Sequence, residues 1–334
     1  MTFDPDAAAS SEGLYGLDTT PEDARVVVVP VPWQATTSFR RGTRGGPDAL
    51  LEASWQVDLE DLDVGPVWQA GIAMLPADPR VAEWDQEVEA DALAVIESGG
   101  NDPEAAARVN ARGDDLNALV YATVKAQIDA GKIPAVIGGD HSVPFGAIRA
   151  VAERHPGVGI LHIDAHADLR DAYEGFTWSH ASIFHNVMTR IPQVGKLVQV
   201  GIRDVGASEM AFMKASGGRI VPFFDNAIAK DLARGASWMS VVDRIVDALP
   251  AEVYVSFDVD GMDPAFCPHT GTPVPGGLSF RDVVVLLEEV GERRKIVGFD
   301  VNEIGADPWD GNVAARLVYK LCGWAARANG WKPA

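Results

Sequence analysis

The chain has 334 residues, 47% of them hydrophobic, enough apolar material for a full-sized core in one α/β unit or two. Its 28 basic residues face 48 acidic ones, a formal charge of −20, which argues against a nucleic-acid or anionic-membrane partner. Two cysteines, Cys267 and Cys322, cannot build a disulfide scaffold, and no segment approaches about 18 unbroken apolar residues, so a soluble, unsecreted, cytoplasmic protein is expected.

Residues 1–24 are acidic and weakly patterned, and are expected to form an arm on the surface or on a neighbouring subunit. Residues 25–334 show no composition shift and are expected to form a single domain. Arg25–Val29 reads as a buried first strand closed by Pro30 and Pro32. Trp33 to Pro47 reads as a long loop, with Pro47 suited to the first turn of a helix through Ala49, Leu50 and Leu51. An edge strand is expected around Trp68–Ile72. Residues 80–130 look helical, broken at Gly99–Gly100–Asn101. Asp115 is expected to cap a helix whose inward stripe is Leu116, Leu119, Val120, Thr123, Val124 and Ile128.

Strand Ile133–Ile137 runs directly into Gly138–Gly–Asp140–His141–Ser142, and a crossover helix follows from Val143 to about Arg154. The apolar run Val158–Ile163 ends abruptly at Asp164–Ala–His166–Ala–Asp168. Leu197–Ile202 ends at Arg203–Asp204, and a short strand at Arg219–Pro222 precedes a helix over Ser240–Ala248. Val253–Phe257 ends at Asp258–Val–Asp260–Gly–Met–Asp263–Pro264. Thr270–Gly277 is too rich in Gly and Pro for regular structure, and Ser279 can cap the helix Phe280–Val290. Lys295–Phe299 leads into Asp300–Val–Asn302–Glu303, and the last helix covers roughly Asn312–Ala326. This alternation implies an α/β fold whose mostly parallel sheet is covered on both faces.

Several short strands therefore end in acid or histidine, and parallel strands deliver such endings to one edge. Two histidines with four or more carboxylates carry too much negative charge for one zinc held by three ligands. They suit two divalent cations bridged by shared carboxylates. A dinucleotide site is excluded, because no Gly-x-Gly-x-x-Gly follows the first strand. Neither a Gly-x-Ser-x-Gly elbow nor a phosphate-binding Gly–Lys–Ser/Thr loop is present.

Gly138–Ser142, Asp164–Asp168 and Ser256–Pro264 resemble the three signature segments of the arginase/agmatinase/formimidoylglutamase family, the ureohydrolases. The resemblance runs from about Val26 to Cys322. It implies a three-layer α/β/α domain with a mostly parallel eight-stranded sheet, assembled as trimers or hexamers. It also implies two Mn2+ ions, with Ni2+ or Co2+ compatible with the same donors, hydrolysing a guanidino or amidino substrate. By the same resemblance one ion is held by His141, Asp164, Asp168 and Asp258. The other is held by Asp164, His166, Asp258 and Asp260, with Asp164 and Asp258 bridging. Asp168 then orients the attacking water, His180 carries a proton to the leaving amine, and Glu303 pairs with the guanidinium.

Four other histidines, His155, His162, His185 and His269, lie outside these segments. His155 is read as ending a surface helix, and His162 as an interior histidine facing away from the ligands. His185, Arg170 and Asn302 are candidates for the substrate pocket. Asp164–Arg170, Tyr173–Gly175, Ser179–Ser182 and Gly271–Leu278 are similar to agmatinases, and Arg170 stands where arginases usually carry an asparagine. Agmatine, cleaved to putrescine and urea, is the expected substrate. Phe184–His185–Asn186, Asn302 and the region 76–113 depart from that pattern and leave guanidine and 4-guanidinobutanoate open. Convergence of Arg40, Arg41, Arg44 and Arg170 would serve formiminoglutamate. A catalytically silent metal-binding subunit is the alternative of another class. A related one-zinc deacetylase carries fewer acids than this chain.

Overall fold

In the computed structural model, which describes residues 4–9 and 11–333, the branched-apolar runs become strands. They are β1 (Val26–Val31), β2 (Ile72–Met74), β3 (Ile133–Gly138), β4 (Gly159–Ile163), β5 (Lys196–Ile202), β6 (Ile220–Phe224), β7 (Glu252–Asp258) and β8 (Lys295–Asn302). All pair in parallel as one eight-stranded sheet in the order β2-β1-β3-β8-β7-β4-β5-β6. The helices are α1 (Gly46–Ser54), α2 (Pro79–Glu97), α3 (Pro103–Asp129), α4 (Phe145–Arg154), α5 (Ile183–Arg190), α6 (Ala207–Ala215), α7 (Asp225–Ala233), α8 (Trp238–Ala248), α9 (Phe280–Arg293) and α10 (Pro308–Ala328).

The two-residue period of each strand assigns its side chains to two cores. Val253, Val255 and Phe257 of β7 pack with α8, α9 and α10 residues such as Val242, Leu287 and Trp324. Tyr254 of the same strand faces Ile148, Phe184 and Val187 of α4 and α5. On that second face, farther along the sheet, Val29 and Val136 meet Val88 and Val120 of α2 and α3. The result is the three-layer α/β/α arrangement. No helix among the described residues is long and apolar enough to cross a membrane.

This topology places the site. The central neighbours β3, β8, β7 and β4 are the four strands whose sequences end in Asp140–His141, Asp300–Glu303, Asp258–Asp260 and Asp164–Asp168. Register brings them level: Ile137 pairs with Val301, Asp258 with Asn302, and Ile163 with Phe257.

Several expectations need correction. The arm does not stay on the surface up to residue 24: Leu14, Tyr15 and Leu17 are buried, and the Tyr15 hydroxyl donates to Ala315 O at 2.9 Å. Strand β1 continues through Pro30, which is tolerated because β2 pairs only with Val26–Val28 and leaves that side free. The edge strand begins at Ile72, where the Trp68 region is a 3-10 turn. Asp115 caps nothing; α3 runs unbroken from Pro103, with Asp102 accepting from Ala105 N. Helices α5, α6 and α7 were not expected, being only eight or nine residues each and short of a long periodic stripe.

Trp324 of α10 is among the largest fully buried side chains, and its indole N–H has no hydrogen-bond partner. Trp324→Ala is expected to cost about 3–5 kcal/mol in urea unfolding. Trp324→Phe, which keeps a ring and removes the unpaired N–H, is expected to cost less than half as much. Equal losses in the two variants would contradict this packing account.

Candidate metal centre and active site

The strand ends converge on His141. Its Nδ1 lies 3.1 Å from Asp164 Oδ2, 3.4 Å from Asp168 Oδ2 and 3.3 Å from Asp258 Oδ2. His166 Nδ1 lies 3.4 Å from Asp164 Oδ1 and 3.1 Å from Asp260 Oδ2. Two groups with ligand atoms close enough to hold an ion result, one around His141, Asp164 and Asp168 and one around Asp164, His166 and Asp260. Asp164 belongs to both. Asp258 reaches the first group through its contact with His141 and binds the second through Asp260 N, which donates to Asp258 Oδ1 at 2.8 Å.

The chemistry of this donor set fits divalent cations. Asp164, Asp168, Asp258 and Asp260 are all buried, and burying carboxylates without compensation costs several kcal/mol each. Burial, and then Asp164 beside it, pushes Asp168 well above the ordinary carboxylate range. Burial followed by Asp260 and Asp164 does the same to Asp258. Burial opposes a charge on Asp164 too, yet His162, His141 and His166 together hold it well below the usual range.

The hydrogen bonds of His141 decide which of its nitrogens faces the acids. Ser256 Oγ donates to Asp300 Oδ1 at 2.8 Å, so the same hydroxyl accepts from His141 Nε2–H at 3.0 Å. The atom left facing three carboxylates is Nδ1. Positive charge must therefore stand between Nδ1 and the acids. It is a second proton when no ion is bound, since burial opposes the charge yet Asp164 and Asp258 raise this histidine well above its ordinary value. Otherwise it is a metal ion, to which an imidazole oriented by an outer partner is already presented.

His162 also falls within the first group, so the reading that it faces away is corrected. Two residues along a strand share a side, and His162 stands two before Asp164. Its nitrogens are nevertheless both used: Nδ1 accepts from Gln199 Nε2 at 2.9 Å, and Nε2–H donates to Asp164 Oδ2 at 2.8 Å. His162 therefore orients a carboxylate. The spacing of two was the signal that could have revealed this.

Beside the groups lies a cavity of about 240 Å³ lined by His166, Asp168, His180, Arg170, Asp204 and Thr272 among others. A chain of hydrogen bonds holds the His180 main chain, and its ring Nε2 lies 3.3 Å from Ser38 Oγ. Thr36 N and Oγ1 each donate to Asp140 Oδ2 at 2.9 Å, and His180 N donates to Thr36 Oγ1 at 3.1 Å. Burial lowers the His180 pKa from its ordinary value, against the pull of Asp140. Arg170 lies over the Tyr173 ring at 4.7 Å and reaches Glu209 at 3.8 Å.

Glu303 is buried behind the cavity, where its Oε1 accepts from His141 N at 3.0 Å and Oε2 has no partner. A Cβ on Gly271 would stand 2.6 Å from Oε2, so this loop lies directly against the carboxylate. Burial, then Asp258 and Asp140, pushes Glu303 well above the usual range. Glu303 and Asp168 are two of the four non-glycine residues with positive φ, at 61° and 54°, among the described residues. Backbone strain of this kind concentrates where geometry serves function.

Two expected pocket residues lie elsewhere. His185 packs on Phe212 at 4.7 Å outside the cavity lining, and Asn302 is buried with its amide donating to Asp300. Phe184 is likewise interior, its ring 4.0 Å from that of His162. Nor do the loop arginines converge on the cavity: Arg41 pairs with Glu89, Arg44 with Asp85 and Glu89, and Arg40 donates to Pro268 O. The 76–113 region acts from behind, with Asp85 accepting from Gln34 N and Asn110 Oδ1 from Thr177 N.

Comparison with known proteins matches these observations. The model of the Arginase family fits residues 24–323. An N(1)-aminopropylagmatine ureohydrolase of Thermus thermophilus is 34% identical over 321 residues, 95% of this chain and 96% of that protein. Among solved structures, the agmatine ureohydrolase of Thermoplasma volcanium superposes with a TM-score of 0.72 at 25% identity, covering 95% of this chain and 94% of that one. The proclavaminate amidinohydrolase of Streptomyces clavuligerus superposes with a TM-score of 0.74 at 27% identity, covering 96% and 99%.

Because Asp164 is common to both groups and Asp260 belongs to one, their losses are expected to differ. After loading with Mn2+ and desalting, Asp164→Asn should retain neither ion and Asp260→Asn one, by elemental analysis. Equal retention in the two variants would show that the groups are not organised around Asp164.

Proposed function

The chain belongs to the arginase family, and we propose that it hydrolyses agmatine to putrescine and urea. It is a metal-dependent hydrolase with a binuclear divalent-metal site of the Mn2+-dependent ureohydrolase type. In this reading His141, Asp164, Asp168 and Asp258 hold one ion, and Asp164, His166, Asp258 and Asp260 the other. Mn2+ is the native ion, with Ni2+ or Co2+ suited to the same donors. Residues 25–334 act as one catalytic domain, in a cytoplasmic trimer or hexamer.

When bound, such a pair of cations supplies Lewis acidity that makes water nucleophilic near neutral pH. The residues do the rest. Glu303 offers its unpartnered Oε2 to the guanidinium, a carboxylate meeting a planar fork of N–H donors. Asp168, held at φ 54°, accepts a hydrogen bond from the attacking water and fixes its approach. Water adds to the guanidine carbon, the bond to the alkyl nitrogen breaks, and that nitrogen must leave as an amine. His180 starts neutral, because burial lowers its pKa, and can therefore take the proton that the attacking water gives up and pass it to the amine.

The observation that carries the substrate assignment is Asp204, whose exposed carboxylate lines the cavity with no ion-pair partner among the described residues. It suits the ammonium end of a diamine tail. Arg170 in the same lining favours a second reading, a carboxylate-ended guanidine such as 4-guanidinobutanoate, although Glu209 and Tyr173 already engage its charge. Guanidine itself needs neither contact.

Two measurements test these assignments. The kcat/KM for urea release is expected to be highest with agmatine in a panel also holding N(1)-aminopropylagmatine, arginine, guanidine and 4-guanidinobutanoate, with formamide release assayed from formiminoglutamate. Higher values for any other member would displace agmatine. His180→Ala should keep both ions and lose roughly 10²–10⁴-fold in kcat; unchanged kcat across pH would remove His180 from proton transfer.

A further inference from the structure

Arg203, at the carboxyl end of β5, is the most heavily engaged cation near the cavity. Its Nη2 donates to Asp260 O at 2.6 Å, Met262 O at 3.1 Å and Val274 O at 2.9 Å. Nη1 donates to Gly201 O at 3.2 Å and Gly261 O at 3.4 Å, and Nε to Val274 O at 3.3 Å. Every acceptor is a main-chain carbonyl, and they come from three separate segments. Its own N donates to Ala165 O at 2.8 Å, which ties the residue to the segment carrying Asp164 and His166.

We infer that Arg203 is a positioning residue that sets Asp260 and the Thr272–Val274 wall of the cavity as one unit. Asp260 follows β7 in a 3-10 turn over Val259–Gly261, beyond the regular sheet ladder, where main-chain carbonyls need other donors. The Arg203 fork donates to the carbonyls of Asp260 itself and of the two residues after it, while the Asp260 carboxylate is fixed by Ala165 N at 3.0 Å and faces His166. The same guanidinium holds Val274 of the opposing loop, and Thr272 Oγ1 reaches Asp260 Oδ2 at 3.4 Å. Thr272, Pro273 and Val274 all line the cavity.

Gly277 of that loop lies against the clamp. Gly277 has φ +100°, and a Cβ there would stand 2.9 Å from Arg203 Nη2 and 2.8 Å from Met262 O. The loop can lie this close to the guanidinium only without a side chain. Lysine could not substitute for the fork, because its donors radiate from one atom and cannot span three segments at once.

The inference rests on assigning Asp260 to the second ion, and its test does not depend on which guanidine is hydrolysed. Full-length Arg203→Lys and Arg203→Met are compared with the parent protein by Mn2+ titration calorimetry, and then by steady-state kinetics with agmatine. One of the two Mn2+ sites is expected to weaken about 10–100-fold in Arg203→Met and less in Arg203→Lys, as for residues that orient a ligand. At saturating Mn2+, kcat should recover toward the parent value while KM stays raised, because the ion can be forced back but the wall remains displaced. If Arg203→Met does not fold, Arg203→Lys decides alone by the same two readouts. Parent-like Mn2+ affinity at both sites with parent-like KM, whatever the melting temperature, would overturn the inference. Inactivity of the parent protein on agmatine would refute the substrate assignment and leave the Mn2+ comparison in force.

Discussion

The site depends on compensation of buried negative charge. Four adjacent parallel strands end in carboxylates that are almost fully removed from water. Uncompensated, these acids would repel one another and resist burial by several kcal/mol each. Histidines supply part of the answer, since Asp164 is drawn well below the ordinary range by His162, His141 and His166 against the cost of burial. Asp168 and Asp258 remain pushed upward by burial and by neighbouring acids. Divalent cations meet that remaining demand, and the sheet is what makes it affordable, because parallel register fixes the acids at one level.

An outer layer then decides which atoms face inward. Ser256 and Asp300 hold the proton of His141 on Nε2 and turn Nδ1 toward the carboxylates. Gln199 and His162 do comparable work for Asp164, and Asp140 and Thr36 hold the main chain of His180. Arg203 organises main-chain carbonyls on the opposite rim. Charged and polar residues thus divide into those that face the reacting volume and those that aim them.

The sheet and the site differed in how far the sequence disclosed them. Strand runs such as Val253–Phe257 are short, apolar and punctuated, so their existence and the acids at their ends were legible. Convergence followed from parallel topology alone. Helices α5, α6 and α7 were not legible, because eight or nine residues do not sustain a clear 3.6-residue stripe. His162 turns toward the ligands, the side that its spacing of two from Asp164 gives it. Proximity in sequence to His180 and Glu303 suggests the pocket for His185 and Asn302, whereas helix α5 turns the first onto Phe212 and strand β8 buries the second. Pairing of Arg41 and Arg44 with acids of α2 could not be read from local sequence, since the partners lie more than forty residues away.

Anomalous diffraction from crystals grown with Mn2+, recorded on either side of the manganese absorption edge, addresses the charge-compensation account most directly. It predicts two anomalous peaks per chain at the carboxyl ends of β3, β4 and β7, one beside His141 Nδ1 and one beside His166 Nδ1, with Asp164 between them. A single peak at saturating Mn2+, or peaks away from these carboxylates, would contradict it.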